Sequence, residues 1–216
     1  MKRIMCFGDS NTWGYTGIPC IEGLPPARLD ENTRWTSLLQ KKLGEGYRVL
    51  EEGYNGRTTV YDDPIVNGVN GYAHLEVAYC SCSPCDLVIV MLGTNDVRYA
   101  ADAQAVGVGM RCVLSHLKEI IAGSFSPECK ILAVAPPKAL PGLPHPSSEY
   151  AYKQEWADEI AKLPEIYEKI CAQLGIYFAN GHKWAEADVS DGLHLGPEGH
   201  AIFADKLYKI TKEIIG

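Results

Sequence analysis

Leu87-Val88-Ile89-Val90-Met91-Leu92 is an unbroken apolar run between Asp86 and the polar turn Gly93-Thr94-Asn95-Asp96. It is too short for a helix, and the lack of alternation implies a strand covered on both faces, as in a parallel sheet. Four similar runs flank it: Arg3 to Phe7, Tyr47 to Glu51, Lys130 to Ala135 and Ile176 to Ala179. Between them apolar residues recur at helical spacing. Trp35, Leu38, Leu39 and Leu43 precede Gly44; Val106, Met110, Val113, Leu114, Leu117, Ile120 and Ile121 precede Gly123. Ile160, Leu163, Ile166, Tyr167 and Ile170 precede Gly175, although Pro164 should kink or restart that helix. A last helix is expected from about Pro197 to Ile215, with proline in the first turn, where its missing N–H is no loss. Strands alternating with helices predict one α/β domain over residues 1–216, with a five-stranded parallel sheet between helical layers.

Composition narrows the function. At 216 residues, 46% hydrophobic and 22% charged, the chain can bury a core without disulfides or metals. Its net charge of -7, with no basic run to track phosphates, makes nucleic acid a poor partner. No apolar stretch approaches the roughly 20 residues that span a bilayer, so no membrane partner is expected. The start, Met1-Lys2-Arg3 followed by Ile4 to Phe7, reads as a buried strand rather than a signal peptide. The eight cysteines are therefore expected as reduced thiols in a cytoplasmic protein. Cys80, Cys82 and Cys85 have thiolate-ligand spacing but lack a second pair nearby, and read as a turn of small residues leading into the strand at Leu87.

The chemistry-bearing residues cluster where strands end. The first strand runs into Gly8-Asp9-Ser10-Asn11-Thr12-Trp13-Gly14, placing a serine in a strand-to-helix turn. That turn admits a second reading in which Asp9 or Ser10 is only an N-cap. Near the other end, Asp191-Gly192-Leu193-His194 sets a carboxylate three residues before a histidine. Such spacing lets Asp191 hold one imidazole nitrogen while the other faces a nucleophile, and Ser10 needs that base to lose its proton. A lone Asp-x-x-His also suits a surface turn. Asn95 ends strand three, and Gly56 follows strand two in Gly53-Tyr54-Asn55-Gly56-Arg57-Thr58-Thr59. With the Ser10 N–H these offer three donors for an oxyanion, although a polar turn explains either segment alone. Long connections follow strands one, two and four, through Pro19, Pro25 and Pro26, from Thr58 to Tyr72, and from Ala135 to Pro146. Such loops serve as walls, lids or subunit contacts.

Taken in order, Gly8-Asp9-Ser10, Gly53 to Thr59, Gly93-Thr94-Asn95-Asp96 and Asp191-Gly192-Leu193-His194 resemble the sequence blocks of the SGNH hydrolase superfamily, also called GDSL esterases. The opening Cys6-Phe7-Gly8-Asp9-Ser10 is similar to the intracellular arylesterase and acyltransferase branch. The resemblance implies a three-layer α/β/α sandwich resembling flavodoxin. It implies Ser10 as nucleophile, His194 as base and Asp191 as its orienter, with Ser10 N–H, Gly56 N–H and the Asn95 side chain as oxyanion hole. It implies a serine esterase that cleaves, and in some members transfers, short acyl groups of small esters, without cofactor or metal. An intracellular sugar O-deacetylase and a lysophospholipase are further readings within the superfamily. Asn11 stands where the family name has leucine, and is expected in the pocket wall.

Trp13 and Tyr54 are candidates to shape the same pocket, with core packing as the alternative, and His145 is expected in a loop lining the entrance. His200 lies in the last helix, where local packing or capping competes with a metal site shared with His194. Arg34 reads as a surface charge. A function of another class, a flavodoxin-like module holding an anion at the Ser10 turn, would have no need for Asp191 and His194. The proline-rich loops are expected to be supported by a homo-oligomer.

Overall fold

The five apolar runs form one sheet: β1 (Lys2–Gly8), β2 (Tyr47–Gly53), β3 (Leu87–Met91), β4 (Lys130–Val134) and β5 (Tyr177–Ala179). All pairings are parallel, in the order β2-β1-β3-β4-β5. The computed structural model describes residues 1–17, 27–100, 102–142 and 152–216. The helices are α1 (Ser10–Trp13), α2 (Trp35–Leu43), α3 (Gly71–Cys82), α4 (Ala103–Ala122), α5 (Gln154–Leu174) and α6 (Pro197–Ile215). Among the described residues no helix is long and apolar enough to cross a membrane.

Period-two alternation along the strands builds the two helical layers. Met5, Phe7, Val88 and Val90 point to one side, into a core shared with Tyr79 of α3, Met110 of α4 and Tyr167 of α5. Ile4, Cys6, Ile89 and Met91 point to the other, against Trp35 and Leu39 of α2 and Phe203 and Leu207 of α6. Every residue of β3 is buried, as its unbroken apolar run requires. Because β1 lies between β2 and β3, and the chain crosses to opposite sides of it to reach them, a crevice opens beyond the ends of β1 and β3. Asp9 and Ser10 leave β1 there, and Leu92 to Asp96 leave β3.

Three local expectations are revised. The sequence reads Thr58 to Tyr72 as a loop and Cys80 to Cys85 as a turn, but Gly71–Cys82 forms α3, started by the Asn70 side chain accepting from Ala73 N at 3.2 Å. Its buried stripe of Leu75, Tyr79 and Cys82 is blurred in sequence by Tyr72 and Val77, which face solvent. Second, α5 runs unbroken through Pro164. The proline removes one N–H from the helix ladder, and burial of Ile160, Leu163 and Tyr167 around it holds the turn together. Third, Arg34 is buried rather than a surface charge: Nε and Nη2 grip the two oxygens of Glu51 at 3.2 and 3.1 Å, and Nη1 donates to Leu29 O at 2.7 Å.

The described cysteines are all free, with Cys82, Cys85 and Cys129 buried and Cys80 and Cys112 exposed. Burial pushes the Cys82 thiol up to about 12 and Cys85 to about 11, which keeps both protonated at neutral pH. Cys20 lies outside the described residues.

Candidate active site

Gly8 lets the chain reverse at the end of β1. A Cβ there would meet Thr12 Oγ1 at 2.0 Å and Met91 O at 2.9 Å, so only glycine allows α1 to fold back against the strand end. Asp9 caps α1, its Oδ1 accepting from Asn11 N at 2.9 Å. Capping and presentation of Ser10 thus coexist: Ser10, first residue of α1, directs Oγ to His194 Nε2 at 2.8 Å. His194 Nδ1 lies 2.6 Å from Asp191 Oδ2, and Asp191 Oδ1 accepts from Leu193 N at 2.8 Å and His194 N at 2.9 Å. Burial alone would raise the Asp191 carboxyl, but His194 and the two backbone donors outweigh it and hold the group down at about 2. A hydroxyl, an imidazole and an ionised carboxylate therefore stand in one line across residues distant in sequence.

The loops after β2 and β3 meet beside this line. Gly8 O accepts from Tyr54 N at 3.1 Å and from Arg57 Nη1 at 2.9 Å, which brings the second block to the end of β1. Asn95 Nδ2 donates to Arg57 O at 3.0 Å, which ties the third block to the second. Gly56 turns at φ 77, in the left-handed region, where a side chain would be strained although space for it exists. Ser10, Gly56 and Asn95 are thus assembled at one edge by bonds that leave their own chemistry open.

The remaining sequence candidates separate. Asn11 is 1% exposed, and its amide is turned to the histidine segment rather than to a cavity: Oδ1 accepts from Leu195 N at 2.8 Å and Nδ2 donates to Leu193 O at 3.3 Å. The pocket-wall expectation for Asn11 is corrected on that ground. Trp13 is half-buried beneath the Arg28 guanidinium, 5.1 Å from its ring. Tyr54 is at the surface, its hydroxyl donating to Asn67 O at 3.1 Å. His145 lies outside the described residues. His200 is buried in α6, where Nδ1 accepts from Trp35 N at 3.2 Å and so caps the start of α2. Burial, then the charges of His194 and Arg34, pull it down to about 3, and it is neutral. Among the described residues no group of three His, Cys, Asp or Glu side chains could hold a metal ion.

Sequence reasoning missed Tyr15, whose ring centroid lies 4.6 Å from that of His194 at 49°. Its one sequence signal is its nearness to Ser10. It also missed the pair of acids behind the site. Asp96 Oδ1 accepts from Thr59 N at 2.9 Å and from the Thr59 hydroxyl, while Oδ2 is buried without a hydrogen bond. Burial pushes Asp96 up to about 7 against the pull of Thr59, and the Asp9 charge adds to the rise. Burial likewise raises Asp9 to about 6, against its bond from Asn11 N.

With this geometry in view, the sequence model of the GDSL-like lipase/acylhydrolase family matches residues 6–202. A GDSL esterase/lipase of Arabidopsis thaliana is 25% identical over 233 residues, which cover 98% of this chain and 86% of that protein. The aryl esterase of M. smegmatis superposes with a TM-score of 0.89 at 29% identity, covering 100% of both chains. A carbohydrate acetylesterase from Sinorhizobium meliloti superposes with a TM-score of 0.88 at 30% identity, again over 100% of both.

The buried acids set opposing pH dependences. Asp96 binds its proton more tightly in the folded chain, so its contribution to stability is greatest below 3.8 and declines as pH rises towards about 7. Asp191 is depressed, so its contribution is complete above 3.8 and is lost as pH falls towards about 2. Asp96→Asn keeps an acceptor for Thr59 and removes the titration. Its stability relative to the parent should rise by about 1–4 kcal/mol across the Asp96 window, at roughly 1.4 kcal/mol per pKa unit. Urea midpoints at the two ends of that window measure the difference, and a constant difference would show that Asp96 titrates normally.

Proposed function

The chain belongs to the GDSL-like lipase/acylhydrolase family, and from that premise we propose that it is a serine esterase with Ser10 as nucleophile. It is a carboxylic ester hydrolase by family, which sets aside the non-catalytic anion-binding module. The observation that carries the assignment of roles is the continuous line Asp191–His194–Ser10, with contacts of 2.6 and 2.8 Å.

In the proposed mechanism Ser10 Oγ attacks the ester carbonyl carbon as its proton passes to His194 Nε2. Asp191, held ionised down to about pH 2, offsets the imidazolium charge. The carbonyl oxygen becomes an oxyanion facing Ser10 N–H, Gly56 N–H and the Asn95 N–H not spent on Arg57 O. The carbon–oxygen bond to the alcohol then breaks, and the departing oxygen takes the His194 proton. Water gives a proton to His194 while its oxygen bonds the acyl carbon. Collapse expels Ser10 Oγ, which recovers the proton, and the carboxylic acid leaves.

For substrate we favour small esters of short acyl groups. The structural relatives are an aryl esterase and a carbohydrate acetylesterase, whose names differ in the alcohol portion, so acetylated sugars are the second class to test. An alcohol that enters in place of water would receive the acyl group, and transfer is part of this proposal.

Ser10→Ala should abolish ester hydrolysis and covalent labelling by a fluorophosphonate while leaving the thermal midpoint nearly unchanged, since it removes one oxygen and opens no core cavity. Activity above a few per cent in a clean preparation would overturn Ser10 as nucleophile. Asn95→Ala should lower kcat by about 10²–10³, the usual cost of one oxyanion donor, with little change in KM. A large KM rise at constant kcat would assign Asn95 to ground-state binding instead. Across p-nitrophenyl esters, acetyl and butyryl should be cleaved much faster than octanoyl; the reverse order would point to a lysophospholipase-like groove.

A further inference from the structure

Asn11 follows the nucleophile directly, yet its side chain does not face substrate. It reaches across to the segment that carries the base, and binds the residues on either side of it. Leu195 N donates to Asn11 Oδ1 at 2.8 Å, and Asn11 Nδ2 donates to Leu193 O at 3.3 Å, so one amide brackets His194. We propose that Asn11 is a positioning residue for catalysis, which sets the approach of His194 to Ser10 by clamping the backbone on both sides of the histidine to the helix that presents the serine.

The segment needs such a clamp because it has no secondary structure of its own. Residues 193–195 lie between a turn and the start of α6, outside any ladder. Asp191 holds the amides of Leu193 and His194, and Asp188 N donates to His194 O at 2.7 Å. Those bonds are internal to the loop and fix its shape, not its distance from α1. Leu193 O and Leu195 N, the groups on either side of the histidine residue that those bonds leave, are the two that Asn11 takes. Asn11 can act as a reference because its own backbone is held twice: its N donates to Asp9 Oδ1 at 2.9 Å, and its carbonyl accepts from Trp35 Nε1 at 3.0 Å. Leucine, the residue at this place in the family's name, has similar volume but neither donor nor acceptor. Here it would leave Leu195 N buried without a partner. Since the Ser10–His194 contact must be aligned for proton transfer, a small displacement of the imidazole costs rate rather than binding.

The inference rests on Ser10 and His194 acting as nucleophile and base, and the test separates the two. Wild type, Asn11→Leu and Asn11→Ala are compared for p-nitrophenyl acetate kinetics, rate of fluorophosphonate labelling at Ser10, circular dichroism, and the downfield proton resonance of the His194 Nδ1–H···Asp191 bond. Alanine cannot overpack the site, so it serves if the leucine variant does not fold. The expected result is a folded variant whose kcat and labelling rate fall about ten- to a hundredfold, with KM within about twofold and the downfield resonance broadened or lost. A folded variant that keeps the parent kcat, labelling rate and resonance overturns the clamp alone. A KM rise with unchanged kcat overturns it too, and returns Asn11 to the pocket wall. Failure of the wild type to label at Ser10 overturns the nucleophile assignment and the clamp with it.

Discussion

The carbonyl of Gly8, where β1 ends, accepts from both Tyr54 N and Arg57 Nη1. Each of those donors belongs to the loop that follows β2, so the end of β1 and the Gly56 turn cannot move independently. The bond is strong because its donor is charged and shielded. Arg57 is buried, with its guanidinium 4.2 Å above the Phe7 ring, and although burial lowers it to about 10 it remains a cation at neutral pH. From Arg57 the constraint passes onward, because the Arg57 carbonyl accepts from the Asn95 amide. Three strand ends are thereby referred to one acceptor, and the donors of the proposed oxyanion hole are fixed before any substrate arrives. Such preorganisation is what makes electrostatic stabilisation effective, since no dipole has to turn during the reaction.

The carboxylates of the site differ because their partners differ. Asp191 receives an imidazole and two backbone amides and is held low; at Asp9 and Asp96 burial outweighs the pull of their hydrogen bonds, chiefly from Asn11 N and from Thr59, and both are pushed up. In the proposed mechanism full negative charge is therefore concentrated beside His194, and it is made costly at Asp9 and Asp96, next to Ser10 and Asn95 in the chain. The penalty of burying Asp9 is in small part met by the Arg57 charge, so the cation that ties the loops together also moderates the acid beside Ser10.

β3 was legible because burial on both faces leaves an uninterrupted apolar run, and the long helices α4 and α6 because one face packs on the sheet. The motif blocks placed Ser10, Gly56, Asn95, Asp191 and His194 at strand ends and loops that the topology brings together. What was not legible depends on contacts between distant residues. Exposed Val77 and Tyr72 disguised α3. Arg34 looks like any surface charge until Glu51 of the neighbouring strand is seen within its fork. Asn11 looks like a pocket residue until the histidine segment, 184 positions away, is seen to bond its amide. Thr59 and Asp96 give no sign in sequence that one satisfies the other.

The second histidine shows how a side chain of the same type is kept out of the chemistry. His200 Nδ1 accepts from Trp35 N, which requires that nitrogen to be unprotonated, and burial holds the ring neutral, down to about 3. Were it a cation, it would place a second positive charge near the proposed base, since the His194 charge is already felt at the His200 ring. By capping α2 the ring is bound in its neutral form, as the tautomer with the proton on Nε2. Trp35 then uses its indole N–H on the Asn11 carbonyl, so the helix that His200 caps also braces the residue beside Ser10. The helical layer behind the sheet edge thereby enters the site twice, by withholding a charge near the base and by holding the backbone next to Ser10.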